Sequence, residues 1–379
     1  MSAAAPDPAA MNPLIDLHRQ AEAEFQPYGE IEIVSTFGEV PAEYSAIRKG
    51  CGLMDLPFRG IIELNGKDRL IFLNNLISNQ VYDKQTKTGL AAGAGVYAFL
   101  LNAKSGRIIA DMNVIERGDR TLLELDARLV PIVLDGLEKY RFAEQVKMAS
   151  RVGALHEIAL YGPAGGPLLG VTLEVGGSTG VNLFGHDAVI WRDDRTGSPG
   201  HHLIVPTGAA RVVWMELLSR HGMPDQIGKR QLRPIGWAAF NTTRIEAGRP
   251  LFGIDFDDSI LPHETSSALD RAVSFTKGCY PGQEIVARMH ARQQVARRIA
   301  GIRLEGDALP IAGTKITDDQ GNEIGGVTSS TISPILSNSS IALTLLKRPH
   351  FNVGTVVRVP AEGEIRKASV VELPFVKSG

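Results

Sequence analysis

Two cysteines, Cys51 and Cys279, are the thiols of this 379-residue chain. Cys279 stands in the run KGCYPGQE, beside Lys277 and between Gly278 and Gly282. Thiolate sulfur is the nucleophilic and metal-binding form of cysteine, and a nearby ammonium or exposed backbone amides favour it. Cys279 is therefore a candidate reactive thiol, with an ordinary small buried residue as the competing reading. Metal ligation by the chain alone is not expected. The cysteines lack CxxC spacing, and His201, His202, His263 and His290 follow no ligand pattern. A cluster shared with a partner's thiolates stays open.

Cys279 falls within the most unusual stretch of the chain, Arg244 to Arg288, whose turn formers and charges read as a loop mounted between a helix and the next strand. Asp255, Asp257, Asp258 and Glu264 are dense enough there for a metal or a general base, although a solvated acidic loop is the simpler reading. Arg288, His290, Arg292, Arg297 and Arg298 follow as a local basic cluster. It suits a phosphate, a polyglutamate tail or an acidic partner, or it is a solvated face. A GxGxxG fingerprint between strand and helix and a Walker loop are missing, and no hydrolase elbow is expected.

The elements that must position these residues are legible in part. LIDLHRQAEAE (14–24) and VPAEYSAIRK (40–49) have helical spacing, the second closed by Gly50. GIIELNG (60–66) is a short strand, and DRLIFLNNLI (68–77) a helix with Asp68 as its cap. Residues 97–101 and 107–115 are apolar runs joined by NAKSG, a hairpin, with a third strand at 121–126 and an amphipathic helix at 129–140. A second unit of the same kind follows: strand HEIALYG, a helix, strands AVIWRDD and HHLIVP, and a helix over 208–219. Beyond Arg292, short strands with Gly, Asp and Asn turns predict a small all-β barrel or sandwich.

These elements predict an α+β fold class. The expected domains are a disordered tail at 1–12, a first α+β lobe at 13–150, a second lobe at 151–291 carrying the KGCYPGQE loop, and a β-barrel at 292–379, the lobes consecutive or interleaved. The length calls for two or three cores. Forty basic against 42 acidic residues give a net charge of −2, too little for a field that gathers nucleic acid or anionic lipid. No direct nucleic-acid partner and no membrane are expected. The start lacks a basic, apolar signal segment, and two thiols fit a reducing compartment, so a cytoplasmic location is expected.

KGCYPGQE resembles the KGCY-x-GQE signature of the YgfZ folate-binding proteins, a branch of the glycine cleavage T-protein (aminomethyltransferase) superfamily. The likeness runs from about Gly38. YSAIRKGCGLMDLP is similar to the T-protein segment where a helix leads into an AG-x-x-D turn, RIEAGRPLFG to R-[LI]-EAG-x-x-L-x-G, and GGVTSSTISPILSNSSIALTLL to the opening of the C-terminal barrel. The resemblance implies a three-domain ring, two α+β lobes and a barrel, with tetrahydrofolate or a derivative in the central opening. It implies a role in assembly or repair of iron–sulfur proteins and, through them, an influence on tRNA modification.

Carried over residue by residue, Arg244 falls on the arginine that helps hold the folate. RTGSPGHH lies on YTGE-x-G-x-E, so Arg195 takes the aromatic position and His202 the pterin-binding glutamate. A carboxylate there accepts two hydrogen bonds and a neutral imidazole one. Lys277, Gln283 and Glu284 of the signature complete the implied cofactor-binding set. In GRIIADMNV, Asp111 is what remains of the transferase's acid pair, with Ala110 in the other place. Cys279 and Asp111 are thus the implied catalytic residues, Cys279 also serving as ligand to a transient iron–sulfur cluster shared with assembly or client proteins. The alternatives are a tetrahydrofolate-dependent aminomethyltransferase or methyltransferase, with Asp111 positioning the attacking nitrogen, and a non-catalytic interaction module on the same fold.

Overall fold

The computed structural model describes residues 12–222, 231–292 and 294–377. The tail read at 1–12 therefore lies outside the described residues, apart from Asn12. The chain divides into two compact units, one from the described part of 1–74 with 81–97 and 112–240, the other from 75–80, 98–111 and 241–379. The fold class is the expected one: two α+β lobes and a C-terminal closed barrel of six strands.

The first lobe is built on a five-stranded sheet with the order Lys147–Ser150, Arg59–Asn65, Arg120–Asp126, Ile108–Glu116, Gly95–Leu101. Its last two strands run on into the second unit. The second lobe has six strands in the order Ser178–Leu183, His186–Arg192, Gly200–Pro206, Leu155–Tyr161, Gly52–Asp55, Arg233–Pro234. Pairing is antiparallel until the last strand, which lies parallel to Gly52–Asp55. That sheet is buried on both faces. Ile158, Leu160, Ile190, Leu203 and Val205 pack with Val213, Trp214 and Leu217 of the helix Thr207–His221. Alternation sends Val189, Trp191 and Ile204 to the other face, where they meet Ile61, Ile115 and Leu122 of the first sheet. Charged residues on that face are thereby withdrawn from water.

The barrel closes in the order Arg297–Leu304, Ser339–Lys347, Glu323–Ser333, Lys315–Thr317, Val356–Ala361, Glu364–Val371 around Ile302, Ile316, Val327, Val357 and Val370. Its alternating strands send aliphatic residues inward, which fills a six-stranded lumen.

Local readings differ from the structure in four places. The helix expected over 14–24 is Ile15–Gln20, and Glu24 already opens the strand Glu24–Tyr28. The helix expected over 68–77 is Arg69–Asn74. The Asp68 carboxylate leaves the helix end and accepts the Gln145 N–H at 2.8 Å, and Asn74 Oδ1 stops the helix by accepting from Val81 and Tyr82. The stretch after Arg244 is not all loop, because Ser267–Ala272 and Gln283–Arg292 are helices, favoured by their alanines and unbranched side chains. The acidic residues there do not form one solvated loop. Asp257 and Asp258 are exposed, while Asp255 and Glu264 are buried and paired with Arg244 and Arg297.

Candidate functional site

In the first unit the facing sheets enclose a set of charged and aromatic side chains. Glu124, on the strand Arg120–Asp126, is fully buried. Its carboxylate accepts from Arg59 Nε, from Arg195 Nη2 at 2.9 Å and from Asn113 Nδ2 at 2.8 Å. Arg195 also donates Nε to Asp193 Oδ2 at 3.0 Å, and its guanidinium lies 5.5 Å from the Trp191 ring centroid. Trp191 stands directly across the ladder from His202, their rings 4.5 Å apart and tilted by 30°. His202 Nδ1 is 2.7 Å from Glu157 Oε1, and its Nε2 is 3.5 Å from the Tyr161 hydroxyl.

Strand register explains the grouping. Ala159 is the residue opposite His202, so Glu157 and Tyr161 flank the imidazole on the same sheet face. Burial and pairing then set the charges. Burial alone raises the Glu124 carboxyl, but Arg195 and Arg59 outweigh it and bring it down to about 2. Burial, reinforced by Arg195, holds His202 down to about 3. Burial and then the charge of Glu124 push Glu157 well above the carboxylate range. Both shifts favour the neutral forms, a carboxyl O–H at Glu157 donating to Nδ1 of a neutral imidazole. Two buried atoms here have no hydrogen-bond partner among the described residues: Glu157 Oε2, an acceptor, and Trp191 Nε1, a donor.

The second unit gathers other carried-over residues. Arg244 is fully buried. It donates Nε to Asn241 Oδ1 at 2.9 Å, Nη2 to Ser329 Oγ at 2.6 Å and Nη1 to Asp255. Asp255 also accepts from Leu251 N–H, Thr328 and Ser329 at 2.9, 2.7 and 2.6 Å. Arg244 thus fastens its helix, Trp237–Glu246, to the following loop and to the barrel strand Glu323–Ser333. Cys279 is exposed. Lys277 beside it is buried, with Nζ donating to the Ile77 carbonyl and lying 4.7 Å from the Tyr280 ring centroid. Gln283 Oε1 accepts the Tyr280 N–H at 3.1 Å, while Glu284 is exposed and pairs with Arg288. Gly282 is required for space: its φ is +79°, and a Cβ would lie 2.9 Å from the Asn102 carbonyl. Asp111 is half-buried on the strand Ile108–Glu116.

The basic cluster divides. Arg288, His290 and Arg292 are exposed, Arg297 pairs with Glu264, and Arg298 covers the Phe351 ring. The run GGSTG at 176–180 has the spacing of a hydrolase elbow. Ser178, however, opens an antiparallel strand and is hydrogen-bonded to Gly93 and Arg117, so the strained strand-to-helix turn of such an elbow is lacking. Among the described residues no group of His, Cys, Asp and Glu is placed to hold a metal ion, and no helix is long and apolar enough to cross a membrane.

Two α+β lobes and a closed six-stranded barrel define the class. Residues 14–277 match the GCVT N-terminal domain and residues 297–377 the glycine cleavage T-protein C-terminal barrel domain; the chain belongs to the glycine cleavage T-protein family. A protein of Chloroherpeton thalassium named aminomethyltransferase is 27% identical over 373 residues, 96% of this chain and 98% of that protein. One of Halalkalibacterium halodurans with the same name is 27% identical over 377 residues, 97% and 98% of the two chains. The crystal structure of glycine cleavage system aminomethyltransferase T from Bartonella henselae superposes with a TM-score of 0.83 at 25% identity, covering 97% of this chain and 98% of that one.

Arg195 and His202 were identifiable through the resemblance, whereas Glu124, Glu157, Asp193 and Trp191 were not. The available signal was charge inside strand-like runs, in TLLELD and HEIALY.

Proposed function

We propose that this chain binds a reduced folate and acts in one-carbon transfer, with Glu157 and Trp191 holding the pterin. The observation that carries this is the pair of buried atoms beside His202, an acceptor at Glu157 Oε2 and a donor at Trp191 Nε1. The amino-pyrimidinone edge of a pterin offers N–H donors and a carbonyl acceptor, the complement of that pair. The names of the full-length relatives support transfer of an aminomethyl-derived carbon. Tetrahydrofolate, when bound, supplies the nitrogen that receives the carbon unit. Glu157, kept protonated on the oxygen that faces His202, leaves its other oxygen to accept. Asp111 is the acid proposed to orient the attacking nitrogen. Calorimetric titration with tetrahydrofolate, folinic acid and their polyglutamates tests the first part. Binding that weakens in Trp191→Phe and Glu157→Leu is expected, and no binding by any of them refutes the reading. Asp111→Asn should then lower turnover with affinity retained.

A second reading rests on exposed Cys279 within KGCYPGQE: YgfZ-type assembly or repair of iron–sulfur proteins, the cluster being cargo shared with a partner, with tRNA modification affected through those client proteins. A lone thiolate cannot complete a four-thiolate site, so the isolated chain should hold clusters weakly. Cys279→Ser that restores iron–sulfur enzyme activity in a complementation assay as well as the parent does would exclude this reading.

A further inference from the structure

The first unit carries a pocket of about 650 Å³ lined by apolar side chains, by three arginines and by the acids Glu63, Asp119 and Asp187. Leu122, Leu155, Val181, Val189 and Ile204 form the floor, and Arg117, Arg120 and Arg151 stand around it. Two of these guanidiniums are already answered. Arg151 Nη2 lies 2.7 Å from Glu63, and Arg120 lies 3.0 Å from Asp119 and 3.8 Å from Glu63. Arg117 differs. It is half-buried, makes no ion pair among the described residues, and gives its one side-chain hydrogen bond to Ser178 Oγ at 2.9 Å.

The acid next to Arg117 in sequence makes no ion pair with it. Glu116 is occupied by Arg69, by Thr121 and by the Gly118 N–H. Burial and then the positive charge of Arg120 oppose the charge on Arg117, and Asp119 and Glu116 offset part of this from a distance, without an ion pair. A guanidinium has five N–H donors in a planar fork, so most of this one's donors are unspent. The strand Ser178–Leu183 makes room for it: a Cβ on Gly180 would come within 3.1 Å of Arg117 Nη2.

We propose that this pocket binds a small amphipathic anion, with a carboxylate or phosphate head on Arg117 and an apolar body on the floor. The two halves of the lining require both halves of the ligand. The anion answers a half-buried cation that makes no ion pair by charge-assisted hydrogen bonds, and the chain covers the part-exposed Leu155 and Val181 beside the core. The inference does not depend on the folate reading, since neither Glu157 nor Trp191 lines the pocket.

Calorimetry on the full chain tests it, with octanoate and octyl phosphate as probes and octan-1-ol as the uncharged counterpart. At least one anion should bind saturably, and whichever binds tighter identifies the head group. Octan-1-ol should bind about tenfold more weakly or worse, and Arg117→Gln should cost the anion on the order of tenfold to a hundredfold, the range of a hydrogen bond to a charged group. Arg117→Lys should recover part of that loss. Arg151→Gln should matter less, because Glu63 already holds that cation. Thermal unfolding of each variant separates lost binding from lost folding. Absence of saturable binding by both anions, equal binding of octan-1-ol, or undiminished affinity in a folded Arg117→Gln variant would each overturn the proposal.

Discussion

Glu157→Gln isolates one proton held inside the first unit. The Glu157 carboxyl is pushed well above its ordinary 4.5, by burial first and by Glu124 next. A glutamine N–H can make the same bond to His202 Nδ1 without titrating. In the unfolded chain the carboxyl ionises at its ordinary value, whereas in the folded chain it stays protonated. Above 4.5 the folded state therefore binds the extra proton, and stability falls as pH rises until the raised value is passed. One pH unit is worth about 1.4 kcal/mol. His202 works in the opposite sense. Its folded value, about 3, lies below the ordinary 6.5, so its contribution is complete above 6.5 and is lost as pH falls toward 3. Both proteins share that term, and it cancels in their difference. Urea titrations of parent and variant at about pH 5 and about pH 6 should show the variant's relative stability growing by up to about 1.2 kcal/mol, less than the full unit because the unfolded carboxyl still holds part of its proton at pH 5. A difference that does not change with pH means that Glu157 is ionised when folded, and that His202, not Glu157, supplies the proton in their hydrogen bond.

Three further outcomes are expected. Arg195→Gln should lower the free energy of unfolding by about 3–5 kcal/mol in urea, because it leaves buried Glu124 and Asp193 short of a partner; a loss below about 1 kcal/mol would mean that water reaches the pair. Glu124, depressed to about 2, stabilises the fold fully above 4.5 and progressively less as pH falls toward 2. Glu124→Gln should accordingly flatten the acid limb of a stability–pH curve measured by circular dichroism. Ile302→Ala, at the fully buried centre of the barrel, should cost about 2–5 kcal/mol, read as a lowered midpoint of thermal unfolding.

Much of the fold was legible because its signals are local. The helix Val40–Lys49 has the expected bounds. The NAKSG turn is formed by Asn102 Oδ1, which accepts from Lys104 and Ser105, each at 3.0 Å. The barrel followed from repeated turn chemistry after Arg292. Failures came where a side chain's partner is distant in sequence. Asp68 has the composition of a helix cap, yet its oxygen goes to Gln145, 77 residues on. Asp255 reads as solvated loop charge, yet Thr328 and Ser329, more than 70 residues later, enclose it. Nothing near either acid in the chain announces these contacts.

The charge cluster of the first unit was illegible for the same reason, but its composition follows a rule once the members are assembled. Arg59 and Arg195 bring two positive charges, and Glu124 and Asp193 bring two negative ones. Buried charge is tolerated when it is paired, and these four residues already balance. Any further member must enter neutral. Glu157 does so by keeping its proton and His202 by shedding one, and each neutral form suits the other across 2.7 Å. The resemblance places a glutamate at position 202. A second carboxylate there would stand against Glu157 and close to Glu124, and two acids sharing one enclosed space cannot both ionise. With imidazole at 202, the acceptor in the proposed folate site is Glu157 Oε2, one strand away. His202→Glu should therefore not restore a more ordinary pterin site. It should add an uncompensated acid, destabilise the fold as pH rises above the carboxylate range, and weaken folate binding. Tighter binding by a folded His202→Glu protein would show that position 202, rather than Glu157, contacts the ligand.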